Sequence, residues 1–444
     1  MQCFAVPLEE MTTMPLAMLG FATVATFVTL IMTKRLSALV ALIAIPILFG
    51  LLAGAGAGLG PMMVKGIVDV APIAIMLAFA VLFFGMMMDA GLFDPLVNRI
   101  LHFVGNDPVR IALGTAALSS LVSIDGDGTT TALIVITSLL PVYRAVGMNP
   151  LILATLLGIT NALLNFVPWG GPSARAAAAL KVDLVGQVFV PLLPAVLITL
   201  AATFVIAWRL GVAERRRLDW TPAAMRHGAA TVREIPPMRR PRLFVPNLLL
   251  TLALIGGMFA GVAPLPVLMM GGFALAITLN YPRLKDQRER IDDHASNVVM
   301  IVALIFAAGA FTGIFEGTGM LDAIAQAIVA ATPPSLGPYF ALVTALLSMP
   351  LTFLMSNDAY YFGIVPVIAQ AAAAHGIPPE VIARASLMGQ PVHQLSPLLA
   401  PVYLACGLLG VEVGDAQRFA LKYAVLVCLV LTGTAVLTGA IPLG

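Results

Sequence analysis

The sequence is poor in charge, in cysteine and in aromatic residues. Of its 444 residues, 10% are charged and 7% aromatic, whereas 60% are hydrophobic and the mean hydropathy is +1.00. Soluble domains carry about 25% charged residues, so a soluble domain is excluded. Cys3, Cys406 and Cys428 stand singly, which indicates neither a disulfide framework nor a zinc site. The basic residues do not alternate with aromatics, and the net charge is only +2, so nucleic acid is not expected as a partner.

Long apolar runs dominate the chain instead. A helix of about 20 apolar residues crosses a bilayer. The first run, which ends at Lys34 and Arg35, is interpreted as a true span rather than a cleaved signal. The chain is therefore expected to be an all-α polytopic membrane protein. The predicted spans are 15–33, 37–59, 67–89, 150–180, 185–210, 243–262, 265–280, 295–316, 380–409 and 415–442.

Two further apolar blocks, 109–146 and 338–375, are interrupted in the middle by polar residues. Each is interpreted as a re-entrant hairpin, because non-helical backbone at membrane depth needs protein or a watery cavity to satisfy its peptide groups. The alternative is a pair of ordinary spans joined by a polar loop.

The distribution of Lys and Arg predicts the orientation, because these residues concentrate in cytoplasmic loops. The segments 211–242 and 281–294 are rich in arginine and are separated by two predicted spans. Both are therefore expected inside, and both termini outside, in a bacterial inner membrane.

The two halves of the chain repeat. Gly85 and Gly313 are 228 residues apart, as are Asp94 and Asp322 in the segments GMMMDAGLFD and GIFEGTGMLD. We predict a first repeat in residues 1–210, a cytoplasmic linker in 211–242 and a second repeat in 243–444. Five spans plus a hairpin in each copy would place the copies upside down relative to one another, as in transporters that work by alternating access.

The middle of the first hairpin combines carboxylates and hydroxyls. It reads SIDGDGTTT from Ser123 to Thr131. An ionised carboxylate at membrane depth costs at least about 2.5 kcal/mol and needs a cation, a proton or water beside it. Asp125 and Asp127 are thus candidate ligands of a hard cation, and Gly126 frees the backbone to bend. The alternative is that an Asp merely caps the second arm of the hairpin.

The middle of the second hairpin reads SNDAYY, from Ser356 to Tyr361, and is expected to mirror the first. Its carboxylate is Asp358. Tyr360 and Tyr361 are interpreted as one ligand contact and one interfacial anchor.

A span broken by proline and glycine follows each hairpin. The first reads NALLNFVPWGGPSAR, from Asn161 to Arg175, and the second contains QPVHQLSP, from Gln390 to Pro397. A new half-helix near Pro172 would aim its N–H groups at an anion. Arg175 is the preferred substrate contact, because a guanidinium matches a carboxylate; an ion pair with Asp183 or snorkelling is the alternative.

His393 is the histidine predicted deep in the membrane and is a candidate for proton coupling. A hydrogen bond to a neighbouring helix is the alternative, in which case a hairpin carboxylate carries the proton. Asp89, Asp94, Glu316 and Asp322 are interpreted as helix caps or interfacial residues.

These motifs together resemble the citrate-metal:proton symporters (CitMHS) of the ion-transporter superfamily. The resemblance covers essentially the whole chain and implies uptake of citrate complexed with a divalent metal, driven by protons. It also implies a fold similar to that of the divalent-anion:sodium symporters, which are dimers with a scaffold and an elevator-like transport domain. Those relatives carry Ser-Asn-Thr at each tip, whereas this chain carries extra carboxylates, which puts simple sodium coupling in doubt.

The leading hypothesis is symport of protons with a metal–citrate complex. The metal, of the Mg²⁺ or Ca²⁺ class, belongs to the transported complex and no organic cofactor is expected. It is assigned to Asp125, Asp127 and Asp358, and proton coupling to Asp127, Asp358 and His393. The residues expected to bind the substrate are Ser123, Gly128, Thr129, Thr130, Asn161, Asn165, Gly171, Ser173, Arg175, Ser356, Asn357, Tyr360, Gln390, Gln394 and Ser396.

Three alternatives stay open. The first is a sodium- or proton-coupled di- or tricarboxylate transporter that takes no metal complex. The second is an intramembrane aspartyl hydrolase, in which two carboxylates share a proton and activate water. The third is a channel, which the glycine-broken pattern disfavours.

Overall fold

The computed structural model describes residues 8–126, 128–221 and 238–443. Regular structure in these ranges is helical. The first half contains α1 (Leu8–Met32), α2 (Ala38–Leu52), α3 (Leu59–Ala90), α4 (Asp94–Val104), α5 (Pro108–Val122), α6 (Gly128–Val146), α7 (Pro150–Leu164), α8 (Gly171–Leu180) and α9 (Val190–Arg217). The second half contains α10 (Phe244–Phe259), α11 (Leu265–Asn280), α12 (Leu284–Gly317), α13 (Met320–Ala331), α14 (Phe340–Leu354), α15 (Val365–Ala373), α16 (Pro379–Ser386), α17 (Gln390–His393), α18 (Ala400–Leu409) and α19 (Val413–Leu437).

Local chemistry sets several helix ends. The side chains of Ser37, Asp107 and Asn149 accept a backbone N–H at the starts of α2, α5 and α7. This satisfies donors that have no partner within the helix. Gly91 ends α3 in the left-handed conformation, at a φ of 84°. Short polar residues and glycine thus end one apolar helix and begin the next, at positions that hydrophobic composition alone does not mark.

The predicted spans correspond closely to these helices. Within the described ranges, seven helices are long and apolar enough to cross a membrane by length and composition. The predicted spans 150–180 and 380–409 are each built from shorter helices with breaks between them. The helix α3 begins at Leu59 rather than near residue 67. The helix α12 begins at Leu284 rather than near residue 295, because its first three turns are polar and hydropathy does not detect them.

The long helices α3 and α12 pack against each other along their length and form the centre of one helix group. Glycines allow this close approach. A Cβ on Gly66 would lie 1.9 Å from the carbonyl oxygen of Gly309, and one on Gly313 would lie 2.3 Å from that of Met62. Small residues of this kind let helix backbones meet directly. The helices α2 and α11 pack on this pair, and α1 and α10 pack on α2 and α11 in turn.

A second helix group holds both hairpins. Its members are α5 to α9 and α14 to α19, with α5 packed on α7 and α9, and α19 packed on α7 and α9. The two halves of the chain therefore interleave within this group. The helix α8 contacts both groups, because it packs on α15 and α16 as well as on α3 and α12.

The order of elements recurs in the two halves. In each, a long helix (α3 or α12) is followed by a short helix (α4 or α13), an interrupted hairpin, a broken segment and a long last helix. Gly91 and Gly319, which are 228 residues apart, both adopt a positive φ, at 84° and 75°. The spacing read from the sequence thus coincides with a shared backbone feature.

Candidate functional site

The first hairpin turns through a short 3-10 segment, Ser123–Asp125, and Gly126, whose φ is 83°. The indole N–H of Trp169 donates a 2.6 Å hydrogen bond to the carbonyl oxygen of Ile124. The broken segment after α7 therefore holds the backbone of this tip in place. Trp169 itself stacks on Phe84 of α3, with ring centroids 4.4 Å apart.

The hydroxyl groups of the first tip differ in their surroundings. Ser123 and Thr131 are fully buried, and within the described ranges their hydroxyl oxygens have no hydrogen-bond partner. A buried hydroxyl without a partner costs about 1–3 kcal/mol, so such groups mark a place where a ligand or water can supply one. Thr129 is exposed, and Thr130 lies on the wall of a cavity. Asp127 and the side chain of Asp125 lie outside the described residues.

The second hairpin turns without a glycine. The Ser356 hydroxyl accepts the backbone N–H of Ala359 at 3.2 Å, and the chain continues as a π-helical segment, Ala359–Ile364. Tyr360 and Tyr361 are fully buried and contact each other edge to face. Neither tyrosine lies at a surface, so the prediction that one is an interfacial anchor is wrong.

Arg175 of α8 joins the two halves at the second tip. Its Nε donates to an oxygen of Asp358 at 2.6 Å, and the side chains of Arg175 and Asp358 are 21% and 17% exposed. The alternative partner Asp183 instead accepts the N–H of Gly186 at 2.8 Å. The predicted cation at the start of the half-helix thus meets the predicted carboxylate of the other hairpin.

A chain of amides lies beside this ion pair. The amide nitrogen of Gln390 donates to Asn357 at 3.0 Å and to the phenol oxygen of Tyr361 at 2.9 Å. The amide oxygen of Gln390 is buried and has no partner within the described ranges. At the second tip the charges of this ion pair and the amide nitrogen of Gln390 are therefore engaged by protein groups, whereas the Gln390 amide oxygen and the Tyr360 hydroxyl have no partner within the described ranges.

The first broken segment is closed by short polar contacts. Asn165 donates to the side-chain oxygen of Asn161 at 2.6 Å, and the hydroxyl of Ser173 donates to the Phe166 carbonyl at 3.0 Å. A Cβ on Gly170 would lie 1.9 Å from the Asn165 carbonyl oxygen, so only glycine fits there. The half-helix α8 begins directly afterwards, at Gly171.

The second broken segment carries His393, which is almost fully buried. Its Nδ1 lies 2.6 Å from the carbonyl oxygen of Thr352, an acceptor, so Nδ1 carries a hydrogen. The other ring nitrogen has no partner among the described residues. Ser396 donates to the Phe353 carbonyl at 2.7 Å. Gln394 lines a small pocket together with Gly128 and Asn161 of the first half.

A cavity of about 430 Å³ lies between the first tip, the first broken segment and one end of α3 and α12. Ligand sites typically measure about 300–1,000 Å³. Its wall follows α3 from Leu77 to Asp89 and α12 from His294 to Ile305. The remaining wall comes from the first tip and the first broken segment, namely Gly126, Thr130, Trp169, Gly171 and Arg175.

Two charged clusters at opposite ends of α3 and α12 were not assigned from sequence. At the cavity end, Asp89 lies 3.1 Å from the His294 Nε2 and 3.4 Å from Arg290. At the other end, Lys181 contacts Asp69 at 2.9 Å and Glu316 at 2.7 Å. These pairings are not visible in the sequence, because their members are 112 or more residues apart. Asp89 and Glu316 are therefore more than simple helix caps.

Asp107 anchors the start of the first hairpin outside the spanning helices. It caps α5, and Arg215 at the end of α9 binds both of its oxygens. Burial raises the pKa of Asp107, but the hydrogen bonds from Arg215 and Val109 and the charge of Arg215 outweigh burial. The pKa of this carboxyl therefore lies below its ordinary value of 3.8.

With this geometry in view, comparison with known proteins decides the family. The sequence profile of the citrate transporter (CitMHS) family matches residues 15–389. The chain belongs to this family.

Close relatives extend the likeness over almost the whole chain. The "Citrate transporter" of Bacillus subtilis is 49% identical over 426 residues, covering 96% of this chain and 99% of the relative. The "Mg(2+)/citrate complex secondary transporter" of the same organism is 46% identical over 431 residues, with the same coverage. The citrate transporter family and these relatives are transporters rather than enzymes, so the hydrolase alternative is set aside.

Solved structures show the same fold at low sequence identity. The YdaH transporter of Alcanivorax borkumensis has a TM-score of 0.58 and 17% identity, covering 86% of this chain and 88% of that one. MtrF of Neisseria gonorrhoeae has a TM-score of 0.57 and 17% identity, covering 86% and 84%. The chain is thus an integral membrane protein of a transporter fold.

Proposed function

We propose that this citrate transporter family member takes up citrate as a complex with a divalent metal ion, together with protons. The complex would lie between the two hairpin tips. Asp358 and the carboxylates of Asp125 and Asp127 would face the metal, and Arg175 would face a citrate carboxylate.

The observation that carries the proposal is the cavity shared by the first tip and Arg175. It is of ligand size, it is bordered by a cationic fork suited to carboxylate, and this fork touches the carboxylate of the second tip. The name of one relative supports a magnesium–citrate substrate. Carboxylate and hydroxyl oxygens are the ligands that hard cations prefer, and both tips supply them.

Uptake into proteoliposomes tests the function. Radiolabelled citrate is supplied with excess Mg²⁺, with EDTA, with a protonophore, or with a sodium gradient replacing the proton gradient. We expect uptake that needs the divalent metal and an inward proton gradient. Uptake that is unchanged by EDTA contradicts the metal complex, and uptake driven by sodium alone contradicts proton coupling.

We also propose that the two halves are inverted repeats and that the hairpin group, α5–α9 with α14–α19, moves as an elevator against the group centred on α3 and α12. The interleaving of the two halves within the hairpin group supports this division. The two ends of the α3–α12 pair support alternating access. At one end the cavity separates the groups, and at the other Lys181 of the hairpin group is paired with Asp69 and Glu316.

Accessibility of Thr130 tests this arrangement. A Thr130→Cys variant without the native cysteines is labelled with an impermeant maleimide in right-side-out and inside-out vesicles. We expect labelling from the cytoplasmic side, where the basic segment 281–294 is predicted, and little from outside. Lys181→Met removes the pairing at the outer end and is expected to increase labelling from outside. If the Thr130→Cys variant with Lys181 intact is labelled equally from both sides, the claim that the site is closed towards the outside is contradicted.

For proton coupling, the buried His393 ring has an acceptor nitrogen available, since Nδ1 already donates to Thr352. Asp358 and Asp127 are the other candidates. His393→Gln keeps a donor and is expected to flatten the dependence of uptake on external pH. Unaltered pH dependence assigns the proton to a carboxylate instead.

The resemblance to dimeric symporters supports a homodimer in a bacterial inner membrane, with both termini outside. Mass measured by light scattering in detergent tests the dimer, and protease access to terminal tags on whole cells tests the orientation. A monomeric mass contradicts the dimer, and terminal tags that are protected from protease contradict the orientation.

A further inference from the structure

The ion pair between Arg175 and Asp358 has an unusual position. It joins the half-helix of one half of the chain to the hairpin tip of the other, at 2.6 Å, and each side chain is about four-fifths buried. Arg175 also lies on the wall of the cavity, where it is the one arginine or lysine among the described lining residues. A charge at such a place depends on its partner, because removing one member leaves the other uncompensated.

The proposed substrate offers a partner to each member of this pair. Fully ionised citrate is a trianion, and its complex with a divalent cation is a monoanion that still presents both a metal and free carboxylate oxygens. A guanidinium binds carboxylate through its planar fork. A carboxylate is a preferred ligand of Mg²⁺, which commonly keeps open positions filled by water. The metal of the complex can therefore bind Asp358, and a free citrate carboxylate can bind Arg175.

Resting on the proposed function, we propose that the Arg175–Asp358 ion pair selects the metal–citrate complex over free citrate by exchanging partners with it. When the complex binds, Asp358 leaves Arg175 for the metal, and Arg175 takes a citrate carboxylate. One ion pair breaks and two form. The metal and one citrate carboxylate each gain a partner of opposite charge, and the site takes up only the single negative charge that the complex carries.

Neither component alone completes the exchange. Free citrate satisfies Arg175 but leaves Asp358 uncompensated beside a trianion, and like charges in a poorly hydrated site repel strongly. Metal alone satisfies Asp358 but leaves Arg175 uncompensated beside a cation. The unpaired Asp358 therefore repels free citrate, and the unpaired Arg175 repels the free metal ion. Selectivity for the complex thus comes from repulsion of each component as well as from attraction of the complex.

The neighbouring contacts keep the second tip in place during such an exchange. Asn357 is held by Gln390, and Gln390 also binds Tyr361, so the backbone beside Asp358 does not depend on the ion pair. The carboxylate can therefore change partners by side-chain rotation. The unpartnered oxygen of Gln390 gives the tip a further acceptor for a metal-bound water.

The first experiment measures the ratio of two dissociation constants on purified protein by calorimetry. The ratio divides the dissociation constant for citrate in EDTA by that for citrate in excess Mg²⁺, so a larger ratio means a stronger preference for the complex. We expect the wild type to favour the complex, and Asp358→Asn to lower the ratio by at least about tenfold. Asp322→Asn, which changes a carboxylate on α13 that accepts a bond from Gln370, is the matched control and should keep the ratio. A folded Asp358→Asn variant with the wild-type ratio overturns the proposal.

The second experiment needs no citrate, and its deciding readout is the Arg175→Gln variant, which keeps Asp358. Arg175→Gln leaves Asp358 without its cation and is expected to bind one more Mn²⁺ per chain than the wild type, as measured by electron paramagnetic resonance. The double variant with Asp358→Asn should lose that extra ion. If Arg175→Gln binds no additional Mn²⁺, the exchange is overturned. If the wild type binds citrate in neither form, the proposed function fails instead.

Discussion

The two hairpins hold their tips in different ways. The first is anchored through charge at its start, by Asp107 with Arg215, and through backbone at its tip, by Trp169 on the Ile124 carbonyl. The second begins at Tyr339 with no side-chain cap. Its tip is held by side chains, through the Arg175 ion pair and the amide chain around Gln390.

This difference separates two tasks within one site. At the first tip the backbone is fixed while Ser123 and Thr131 have no partner within the described ranges, so polar groups remain for an incoming ligand. At the second tip the two members of the Arg175 ion pair already bind each other, so a ligand that takes either of them must displace an existing contact, although the Tyr360 hydroxyl and the Gln390 amide oxygen have no partner within the described ranges. We infer that the first tip supplies ligands and that the second tip sets which charge is accepted.

The largest effect is expected where the two halves meet. Arg175→Ala leaves Asp358 largely buried and uncompensated, which costs about 3–5 kcal/mol, and we expect citrate uptake to fall by at least about a hundredfold. Arg175→Lys keeps the charge without the fork and should recover part of the activity. Uptake is measured in vesicles and normalised to protein amount. Arg99→Ala, on the exposed face of α4, is the control, and an equal loss there would contradict a specific role.

The backbone tether of the first tip gives the next effect. Trp169→Phe keeps an aromatic ring on Phe84 but removes the N–H that binds the Ile124 carbonyl. A buried carbonyl without a partner costs about 1–3 kcal/mol, so citrate affinity should fall by roughly tenfold. Trp208→Phe changes a half-exposed tryptophan on α9 and should leave affinity unchanged. Equal affinities for Trp169→Phe and the wild type would mean that the tip needs no tether.

A smaller effect on stability is expected at the turn of the first hairpin, which contains a glycine that the second turn lacks. Gly126 has a φ of 83°, and a Cβ there would lie 3.4 Å from the Trp169 carbonyl oxygen. Gly126→Ala is expected to destabilise the protein by about 1 kcal/mol and to weaken citrate binding through the displaced tip. Gly433→Ala lies in α19 with open space around it and should be neutral or stabilising. Thermal unfolding in detergent compares the two, and a stabilised Gly126→Ala would contradict the strained turn.

The smallest effect concerns the anchor of the first hairpin and depends on pH. Because the folded pKa of Asp107 is lowered, its ionised form stabilises the protein above the ordinary carboxyl pKa, and this is lost as pH falls through the folded value. Asp107→Asn should therefore lower the melting temperature at pH 7, and the difference from wild type should shrink below about pH 4. A difference that grows with acidity would contradict the sign of this shift.

Much of this arrangement could be predicted from the sequence, because its signals are local. Apolar runs marked the spans, and Ser123, Gly126, Ser356 and Pro168 marked the turns and breaks where the helices end. The residues that meet at the site are on these interruptions, since a polar break in an apolar run needs partners that only another such break can supply.

The pairings could not be predicted in the same way. The sequence favours a substrate contact for Arg175, with an ion pair to Asp183 or snorkelling as the alternative, whereas its contact with Asp358 joins residues 183 positions apart. The cluster of Lys181 with Asp69 and Glu316 likewise depends on how α8 sits against two other helices. The properties of single residues determine neither the Arg175 contact nor the Lys181 cluster, because both arise only when the two halves of the chain pack together.

The most direct test of the central claim is a cryo-EM map of the protein in lipid nanodiscs with citrate and Mg²⁺. We expect density for the complex beside Thr130 of the first tip, with Arg175 turned towards a carboxylate and Asp358 turned towards the metal. Density at the Asp89–His294 end of the cavity, with the Arg175–Asp358 contact unbroken, would contradict it.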